Sequence, residues 1–239
     1  MRIVELFHDE NHPESSNVDL WVKEYNHRSQ KLPAYKGLDL PDLDSFDLIF
    51  LHGGEQHLWN KDADPWLHAE VNYIRRVLMN KKPVIGFCLG SQVIADALGV
   101  EIYQDKEIEF GWGQVMVRPE ARGHMILKGL EAGFISFMWH QDHYELPPHC
   151  MSLAFTHQAA NQIFVSNNLP AVGFQFHPEY SQEIVNNYYR TYWGTEFLKL
   201  KDSPPIDDFI KESNSLPDTY SLFRQLLNNT VKYLALETR

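Results

Sequence analysis

Cysteine is scarce in this 239-residue sequence, in which only Cys88 and Cys150 occur. Two cysteines cannot form the dense disulfide framework of a small secreted domain, so that class of fold is excluded. Long apolar runs are also lacking, and no stretch approaches the roughly 20 residues that a bilayer-spanning helix needs. The apolar run at the amino terminus is too short for a signal peptide. These shortages predict a protein of the reducing cytoplasm with no membrane partner.

Positive charge is the second shortage, because 21 Lys and Arg residues stand against 32 Asp and Glu residues. The resulting net charge of −11 repels the phosphate backbone of nucleic acids and anionic membrane surfaces. A general nucleic-acid-binding protein is therefore excluded, whereas an anionic small molecule is not, since local groups can hold it. The apolar content of 44% and the charged content of 22% are ordinary for a globular protein.

Apolar runs of strand length alternate with segments of helical periodicity through the first hundred residues. Strands are predicted over Arg2–His8, Phe46–Leu51 and Pro83–Phe87. Helices are predicted between and after them, over Val18–His27, Pro65–Met79 and Ser91–Leu98. This strand–helix–strand order indicates parallel strands joined by right-handed crossovers.

Beyond residue 100 the pattern changes, and Val100–Val117 alternates in a way that predicts antiparallel strands. Later strands are predicted at Phe134–Trp139, Leu153–Thr156, Gln162–Val165 and Ala171–Phe176, and helices at Ile184–Trp193 and Leu222–Leu236. No linker or repeat divides the chain, so we predict a single α/β domain over residues 1–239. Its open, twisted sheet is mostly parallel and flanked by helices, with a small antiparallel excursion and a helical extension over residues 182–239.

The segment PVIGFCLGSQVIADALG, residues 83–99, places Cys88 between a buried strand and an amphipathic helix. A strand, a tight turn and a helix with a nucleophile at the corner form a nucleophile elbow. Gly86 and Gly90 flank the corner because small residues relieve the crowding of its backbone. The helix directs its N–H groups and positive dipole end at the sulfur, which favours the thiolate. A lone cysteine is more often a buried structural residue, but this glycine frame favours a nucleophile.

A nucleophilic cysteine needs a base, and the base needs an orienting group. In GFQFHPEYS, His177 follows a buried strand, and Glu179 lies two residues further on beyond a stiffening proline. Most histidines in strand–helix loops are surface residues, and composition cannot select one of 12. The position of His177 at a strand end beside a carboxylate makes it the predicted base, oriented by Glu179.

Other candidate sites are weaker. His140, Asp142 and His143 suggest a metal, but no second cluster supplies further ligands at suitable spacing. We therefore predict no metal and no cofactor. Cys150 lies in LPPHCM, which has no helix start, and is interpreted as a spare thiol.

PVIGFCLGSQ and GFQFHPE together resemble the nucleophile and His-x-Glu motifs of the class I (triad) glutamine amidotransferases. FDLIFLHGGEQ resembles the oxyanion-strand motif of that family, and FMWHQDHYELP resembles its substrate segment, so the similarity spans residues 46–179 in order. The sequence GFQFHPE is similar to the corresponding motif in the amidotransferase part of GMP synthases. The resemblance implies a flavodoxin-like fold of the class I glutamine amidotransferase type.

The resemblance also implies a role for each matched residue. Cys88 attacks the side-chain amide of glutamine, His177 moves the proton and Glu179 orients His177. The backbone N–H groups of Gly54 and Leu89 form the oxyanion hole. The implied substrate contacts are Gly53, Gln92, Trp139, His140, Gln141 and Asp142.

The sequence departs from the family pattern in two segments that hold the substrate in the family. Glu55 replaces the proline that usually follows the glycine pair, and Trp139 and Gln141 replace the serine and glycine of the substrate segment. The first hypothesis is an amidotransferase-like hydrolase that releases ammonia to an unidentified acceptor, and its implied partner is a separate synthase subunit. The alternatives are a stand-alone γ-glutamyl peptidase and a non-catalytic binding module that retains the fold.

Overall fold

A nine-stranded mixed sheet forms the centre of the computed structural model, which describes residues 1–10, 17–37, 40–190 and 205–236. The strands are β1 (Arg2–Phe7), β2 (Arg28–Pro33), β3 (Leu48–Leu51), β4 (Val84–Phe87), β5 (Ile102–Val117), β6 (Phe134–Tyr144), β7 (Cys150–Phe155), β8 (Ile163–Ser166) and β9 (Ala171–Phe174). Their order across the sheet is β2-β1-β3-β4-β9-β8-β7-β5-β6. The pairings from β2 to β9 are parallel, and those from β9 to β6 are antiparallel. The predicted α/β fold class is confirmed, and its antiparallel part occupies nearly half of the sheet.

Helices cover both faces of this sheet. They are α1 (Asn17–Glu24), α2 (Trp66–Met79), α3 (Leu89–Ala97), α4 (Gln182–Arg190), α5 (Ile206–Ser215) and α6 (Thr219–Tyr233). The central strands β3, β4 and β9 are buried along their whole length, as expected for parallel strands covered on both faces. Apolar side chains of α2 and α3 pack in one core cluster, and those of α1 and α6 pack in another.

The structure departs from the predicted elements at several places, and one of them is helix α5, since no helix was predicted over Ile206–Ser215. Strand β2 was not predicted, because RSQKLP is polar and mostly exposed at the sheet edge and has no apolar alternation. Helix α1 ends at Glu24 and not at His27, since Asn26 has a left-handed φ of 52°. The Val100–Val117 region is one long strand, β5, whose pairing with β6 is irregular between Gln104 and Glu109.

The carboxyl-terminal helices pack on the sheet at two positions. Helix α6 places Phe223 against Phe87 of β4, with ring centroids 6.2 Å apart. Tyr189 of α4 stacks on Phe209 of α5 at 4.1 Å, in a cluster that also contains Phe137 of β6. The end of the predicted Ile184–Trp193 helix lies outside the described residues, as does the rest of the stretch up to residue 204. Every helix within the described ranges is too short or too polar to cross a membrane.

Candidate active site

Cys88 occupies a strained corner between β4 and α3. Its φ of 48° and ψ of −111° lie outside the regions that side-chain-bearing residues ordinarily adopt. Such a conformation costs about 1–3 kcal/mol and persists only where the surroundings enforce it. The N–H group of Cys88 donates to the carbonyl of Phe174 on β9 at 2.8 Å, which fixes the corner against the neighbouring strand. The side chain is 6% exposed, so the sulfur lies at the base of a site and not on an open surface.

Gly86 and Gly90 are required at this corner for steric reasons. A Cβ atom on Gly86 would lie 2.3 Å from the carbonyl oxygen of Gly90. A Cβ atom on Gly90 would lie 2.2 Å from the carbonyl oxygen of Leu51 on β3. Both contacts are with backbone atoms, which cannot rotate away, so the glycine frame predicted from the sequence has a direct geometric cause.

His177 and Glu179 form a buried pair at the end of the β9 segment. The Nδ1 atom of His177 lies 2.8 Å from Oε1 of Glu179, and both side chains are almost fully buried. Burial alone would lower the pKa of His177, but the Glu179 carboxylate and the Cys88 sulfur outweigh it and raise that pKa to about 10. Since Glu179 takes Nδ1, the buried Nε2 atom is the ring nitrogen left for the sulfur.

Three residues, Phe137, Tyr180 and Asn17, hold the His177–Glu179 turn. The N–H group of His177 donates to the carbonyl of Phe137 on β6 at 2.8 Å. Tyr180 stacks on the His177 ring, with centroids 4.6 Å apart and planes inclined by 6°. At the start of α1, Asn17 donates from its backbone N–H to the carbonyl of Glu179 at 2.8 Å, and from its side chain to the carbonyl of Pro178 at 3.0 Å. The backbone of the turn is therefore held by β6 and α1, and the His177 ring is held by Tyr180.

The Gly53–Gly54 loop follows β3 and lies beside both reacting groups. A Cβ atom on Gly53 would lie 2.9 Å from Cε1 of His177 and 3.6 Å from Cβ of Cys88. Gly53 thus acts as a spacer that lets the imidazole approach, and it does not line the pocket. Gly54 and Leu89 both line the pocket beside Cys88. Leu89 is the first residue of α3, where backbone N–H groups have no acceptor within the helix.

Cys88 and His177 open onto a cavity of about 290 Å³. This volume is near the lower end of the range for small-molecule sites, about 300–1,000 Å³. An amino acid or a short γ-glutamyl compound suits a cavity of this size. Its lining consists of Asp9, Gly54, Glu55, Gln56, His57, Cys88, Leu89, Gln92, Ile108, Trp139, His140, Gln141, Asp142, His177, Tyr180 and Tyr188.

The predicted substrate segment on β6 forms one wall of this cavity. The carbonyl oxygen of Trp139 lies 3.5 Å from Sγ of Cys88. The side chain of Gln141 donates to the carbonyl of Asp105 at 2.8 Å and accepts from Gln104 at 3.1 Å. The Gln141 amide therefore ties β6 to the irregular part of β5.

The other predicted contacts are held by buried polar partners. His140 lies 2.9 Å from Glu109. Burial alone would raise the pKa of Glu109, but the contacts with His140, Thr156 and His143 outweigh it and lower that pKa. Asp142 lies 2.8 Å from Nδ1 of His57 and accepts from the Trp59 indole at 3.2 Å. These partners hold His140 and Asp142 in defined positions at the cavity wall.

Two glutamines, Gln92 and Gln175, contact each other next to Cys88. Gln92, on the first turn of α3, donates to Oε1 of Gln175 at 3.5 Å, and Gln175 Nε2 lies 3.8 Å from Sγ of Cys88. Gln92 was predicted, but Gln175 was not. The signal was its alternation with His177 in GFQFHPE, since two residues separated by one position share a face of an extended segment.

Two further observations concern the competing sites. Within the described ranges no group of three or more His, Cys, Asp or Glu side chains is arranged to hold a metal ion. Cys150 is a half-buried thiol on β7, and burial raises its pKa, which disfavours the reactive thiolate. Cys88 and Cys150 are both free cysteines.

Comparison with known proteins identifies the same family as the motifs. A model of the class-I glutamine amidotransferases matches residues 12–189. The chain is 28% identical over 169 residues to the glutamine amidotransferase-like protein YfeJ of Salmonella typhimurium, covering 69% of this chain and 70% of that protein. It is 31% identical over 166 residues to one subunit of the glutamine-hydrolysing GMP synthase of Sulfolobus acidocaldarius, covering 65% of this chain and 84% of that relative. The crystal structure of a glutamine amidotransferase from Thermotoga maritima has the same fold, with a TM-score of 0.84, 24% identity, and coverage of 99% of this chain and 98% of that one.

Proposed function

The chain belongs to the class I glutamine amidotransferase family, and from that premise we propose that it hydrolyses the side-chain amide of glutamine or of a related γ-glutamyl compound. One observation carries the proposal. His177 forms a hydrogen bond with Glu179, with Nδ1 and Oε1 2.8 Å apart. The same histidine lies beside the strained Cys88 at the base of a cavity of about 290 Å³. A nucleophile, a base and an orienting acid in this order are the constellation that acyl transfer needs.

The first half of the proposed reaction forms a thioester. The Cys88 sulfur attacks the amide carbon, and the carbonyl oxygen becomes an oxyanion. His177 takes the thiol proton and delivers it from Nε2 to the leaving amine as the C–N bond breaks. Ammonia leaves when the substrate is glutamine, and a γ-glutamyl thioester remains on Cys88. Glu179 stabilises the imidazolium throughout, since it lies 2.8 Å from Nδ1.

The second half releases the acid. His177 takes a proton from water, the hydroxide attacks the thioester, and the C–S bond breaks to give glutamate and the Cys88 thiolate. The proposed oxyanion donors in both halves are the N–H groups of Gly54 and Leu89, each worth about 3 kcal/mol in comparable enzymes. Gln92 and the Trp139–Asp142 wall would hold the γ-glutamyl group beside them, since they line the same cavity.

A second candidate is a stand-alone γ-glutamyl peptidase, in which the leaving group is an amine larger than ammonia. The identity of the cavity wall favours it, because Trp139 and Gln141 replace the serine and glycine of the family segment. Glu55 at the cavity rim replaces the usual proline as well. All three changes are where the substrate would be gripped, and none alters the reacting groups.

The similarity to a GMP synthase subunit supports a separate synthase as the proposed ammonia acceptor. Two free cysteines, Cys88 and Cys150, fit the reducing cytoplasm that we propose as the compartment.

The test compares ammonia release from glutamine, with and without candidate synthase subunits, with hydrolysis of γ-glutamyl dipeptides. Glutamine turnover that a synthase stimulates supports the amidotransferase. Faster turnover of γ-glutamyl dipeptides supports the peptidase. No turnover of any γ-glutamyl compound, together with ordinary thiol reactivity at Cys88, supports the binding module and rejects both enzymes. Cys88→Ala is the control for contaminating activity.

A further inference from the structure

His8 and Glu70 form a second buried histidine–carboxylate pair, directly beneath the Gly53–Gly54 loop. His8 follows β1, Glu70 is on α2, and their side chains are at most 2% exposed. Nε2 of His8 lies 2.9 Å from Oε1 of Glu70. Neither residue lines the cavity, and neither takes part in the proposed reaction.

The opposite nitrogen of His8 contacts the loop itself. Its Nδ1 atom lies 2.7 Å from the carbonyl oxygen of His52 and 3.3 Å from that of Gly53. Carbonyl and carboxylate oxygens accept hydrogen bonds and do not donate them, so a doubly protonated His8 satisfies both sides of its ring. Burial alone would lower the pKa of His8, but the Glu70 carboxylate and the two carbonyls outweigh it and raise that pKa.

The carbonyl of Gly53 and the N–H group of Gly54 belong to one peptide group. A planar peptide points these two groups in opposite directions, so a donor that holds the carbonyl also fixes where the N–H points. Glycine on both sides lets the peptide rotate with little steric resistance. A loop of this kind needs an external contact to keep a single orientation, and His8 provides one.

We propose that His8, held by Glu70, is a positioning residue that fixes the Gly53–Gly54 peptide with the Gly54 N–H directed at the oxyanion. This inference rests on the proposed function, because it assigns a task to a donor of the same reaction. Trp66 stacks on the His8 ring at 5.8 Å and helps to fix the ring plane. The His52 carbonyl also accepts from the N–H group of Gly90 at 3.1 Å, so the same contacts join the loop to the Cys88 corner.

Three variants test the inference. His8→Leu removes the donor to the two carbonyls. His8→Asn keeps a donor, since the amide nitrogen of asparagine can take the place of Nδ1. Glu5→Gln is the matched control, because Glu5 is a fully buried carboxylate 2.9 Å from Nε2 of His52, and this contact is with the His52 side chain and not with the two carbonyls that His8 holds.

The first measurement is steady-state kinetics with the best γ-glutamyl substrate. Removal of an oxyanion donor costs about 10²–10³-fold in kcat. Misorientation of the peptide weakens that donor without removing it, so His8→Leu should lower kcat about 10- to 100-fold with KM changed less than about threefold. His8→Asn should recover most of the loss, and Glu5→Gln should stay near the wild type.

The second measurement is inhibition by the γ-aldehyde of glutamate, which forms a tetrahedral adduct with Cys88, compared with inhibition by glutamate. His8→Leu should weaken the aldehyde by the same factor as kcat and leave glutamate inhibition nearly unchanged. Equal weakening of both inhibitors, or a kcat loss that Glu5→Gln shares, would mean general loosening of the fold and would overturn the inference.

The third measurement does not depend on turnover. A crystal structure of His8→Leu should show the Gly53–Gly54 peptide rotated or in two orientations, while that of His8→Asn keeps the wild-type orientation. An unrotated peptide in His8→Leu overturns the inference even if the protein proves inactive on every γ-glutamyl compound. An inactive wild type with a rotated variant peptide rejects the proposed function and leaves the structural inference standing.

Discussion

At the scale of single residues, the central feature is a histidine that lies between the Glu179 carboxylate and the Cys88 sulfur. Burial opposes this charge, yet Glu179 and Cys88 raise the pKa of His177 to about 10. A histidine so placed holds the proton that it takes from the Cys88 thiol and can give that proton to a leaving amine. The Glu179 carboxylate, fully buried beside Nδ1, is therefore the group on which the proposed acid–base chemistry depends.

Glu179→Gln should lower kcat/KM about 10²–10⁴-fold, the range that acid–base groups contribute. The amide can turn its NH2 group to Nδ1 of His177, which leaves the wrong tautomer facing the sulfur, and the pKa of His177 falls. Kinetics across pH should show the shift of that pKa as well as the rate loss. Glu5→Gln, an equally buried change in β1, is the control, and a rate for Glu179→Gln within threefold of this control contradicts the assigned role.

The raised pKa of His177 also predicts a pH dependence of stability. In the unfolded chain the imidazole titrates near 6.5, and in the folded protein near 10. Below pH 6.5 both states bind the proton and the stabilisation is fully present. Between 6.5 and 10 only the folded state keeps it, so the free energy of unfolding falls by up to about 1.4 kcal/mol per pH unit from this group.

Denaturant unfolding of the wild type and of His177→Gln, at a series of pH values, measures this linkage. The stability difference between the two proteins should shift against the wild type as pH rises from 6.5 to 10. A difference that stays constant over that interval would mean that the pKa of His177 is not raised.

The proposed reacting residues Cys88, His177 and Glu179 could be predicted because each lies next to a local signal, either a glycine frame or a strand end followed by a carboxylate. The contact between His8 and Glu70 could not be predicted, because these residues are 62 positions apart and meet only in the folded chain. The predicted substrate contact of Gly53 stays a prediction, and the structure adds that Gly53 lies against His177. Distances of this kind come from the packing of β1, β3 and α2, which no local pattern encodes.

At the scale of elements, the first residue of α1 holds the His177–Glu179 turn from outside the sheet. Asn17 is fully buried and binds the carbonyls of Pro178 and Tyr180 through its side chain, at 3.0 and 3.3 Å. Its backbone N–H binds the carbonyl of Glu179. A single residue therefore connects the start of a helix to three consecutive peptides of the turn.

Asn17→Ala should lower kcat/KM by up to about 10²-fold, since small displacements of acid–base groups have effects of that size. The matched control is Asn229→Ala on α6, which also removes an amide that donates to two carbonyls, those of Ile126 and Lys128 at 3.0 Å. Both variants should lose stability, because each removes two hydrogen bonds from a side-chain amide to backbone carbonyls. Equal activity of the two variants would show that the turn does not need its α1 contact.

Element type was predictable where periodicity is strong, as in α2 and in the buried strands β3 and β4. It was not predictable for β2, whose polar residues pair with β1 through backbone hydrogen bonds and show no apolar alternation. The end of α1 was also missed, because the left-handed turn at Asn26 interrupts an apolar pattern that continues to Tyr25.

At the scale of the whole molecule, the candidate site lies where the two halves of the sheet meet. Cys88 follows β4 and His177 follows β9, which are adjacent parallel strands. The antiparallel half returns through β6 and supplies the wall from Trp139 to Asp142. The parallel half therefore provides the proposed reacting groups, and the antiparallel half provides the surface that would select the substrate.

The family motifs predicted that the reacting residues and the substrate segment come from different strands. The match of the family model confirms the family assignment. The order of strands on the antiparallel side could not be predicted, since β5 crosses from β7 to β6 within a single strand of 16 residues. The substrate segment departs from the family on that same side, at Trp139 and Gln141. The molecule is thus most predictable where chemistry constrains it and least predictable where specificity varies.

The most direct test of the central claim is covalent labelling by a γ-diazoketone analogue of glutamine, followed by peptide mass spectrometry. We predict one adduct per chain, on Cys88 and not on Cys150, that excess glutamine or a γ-glutamyl dipeptide prevents and that His177→Gln slows by at least tenfold. Labelling of both cysteines at similar rates, without protection by any γ-glutamyl compound, would contradict the account.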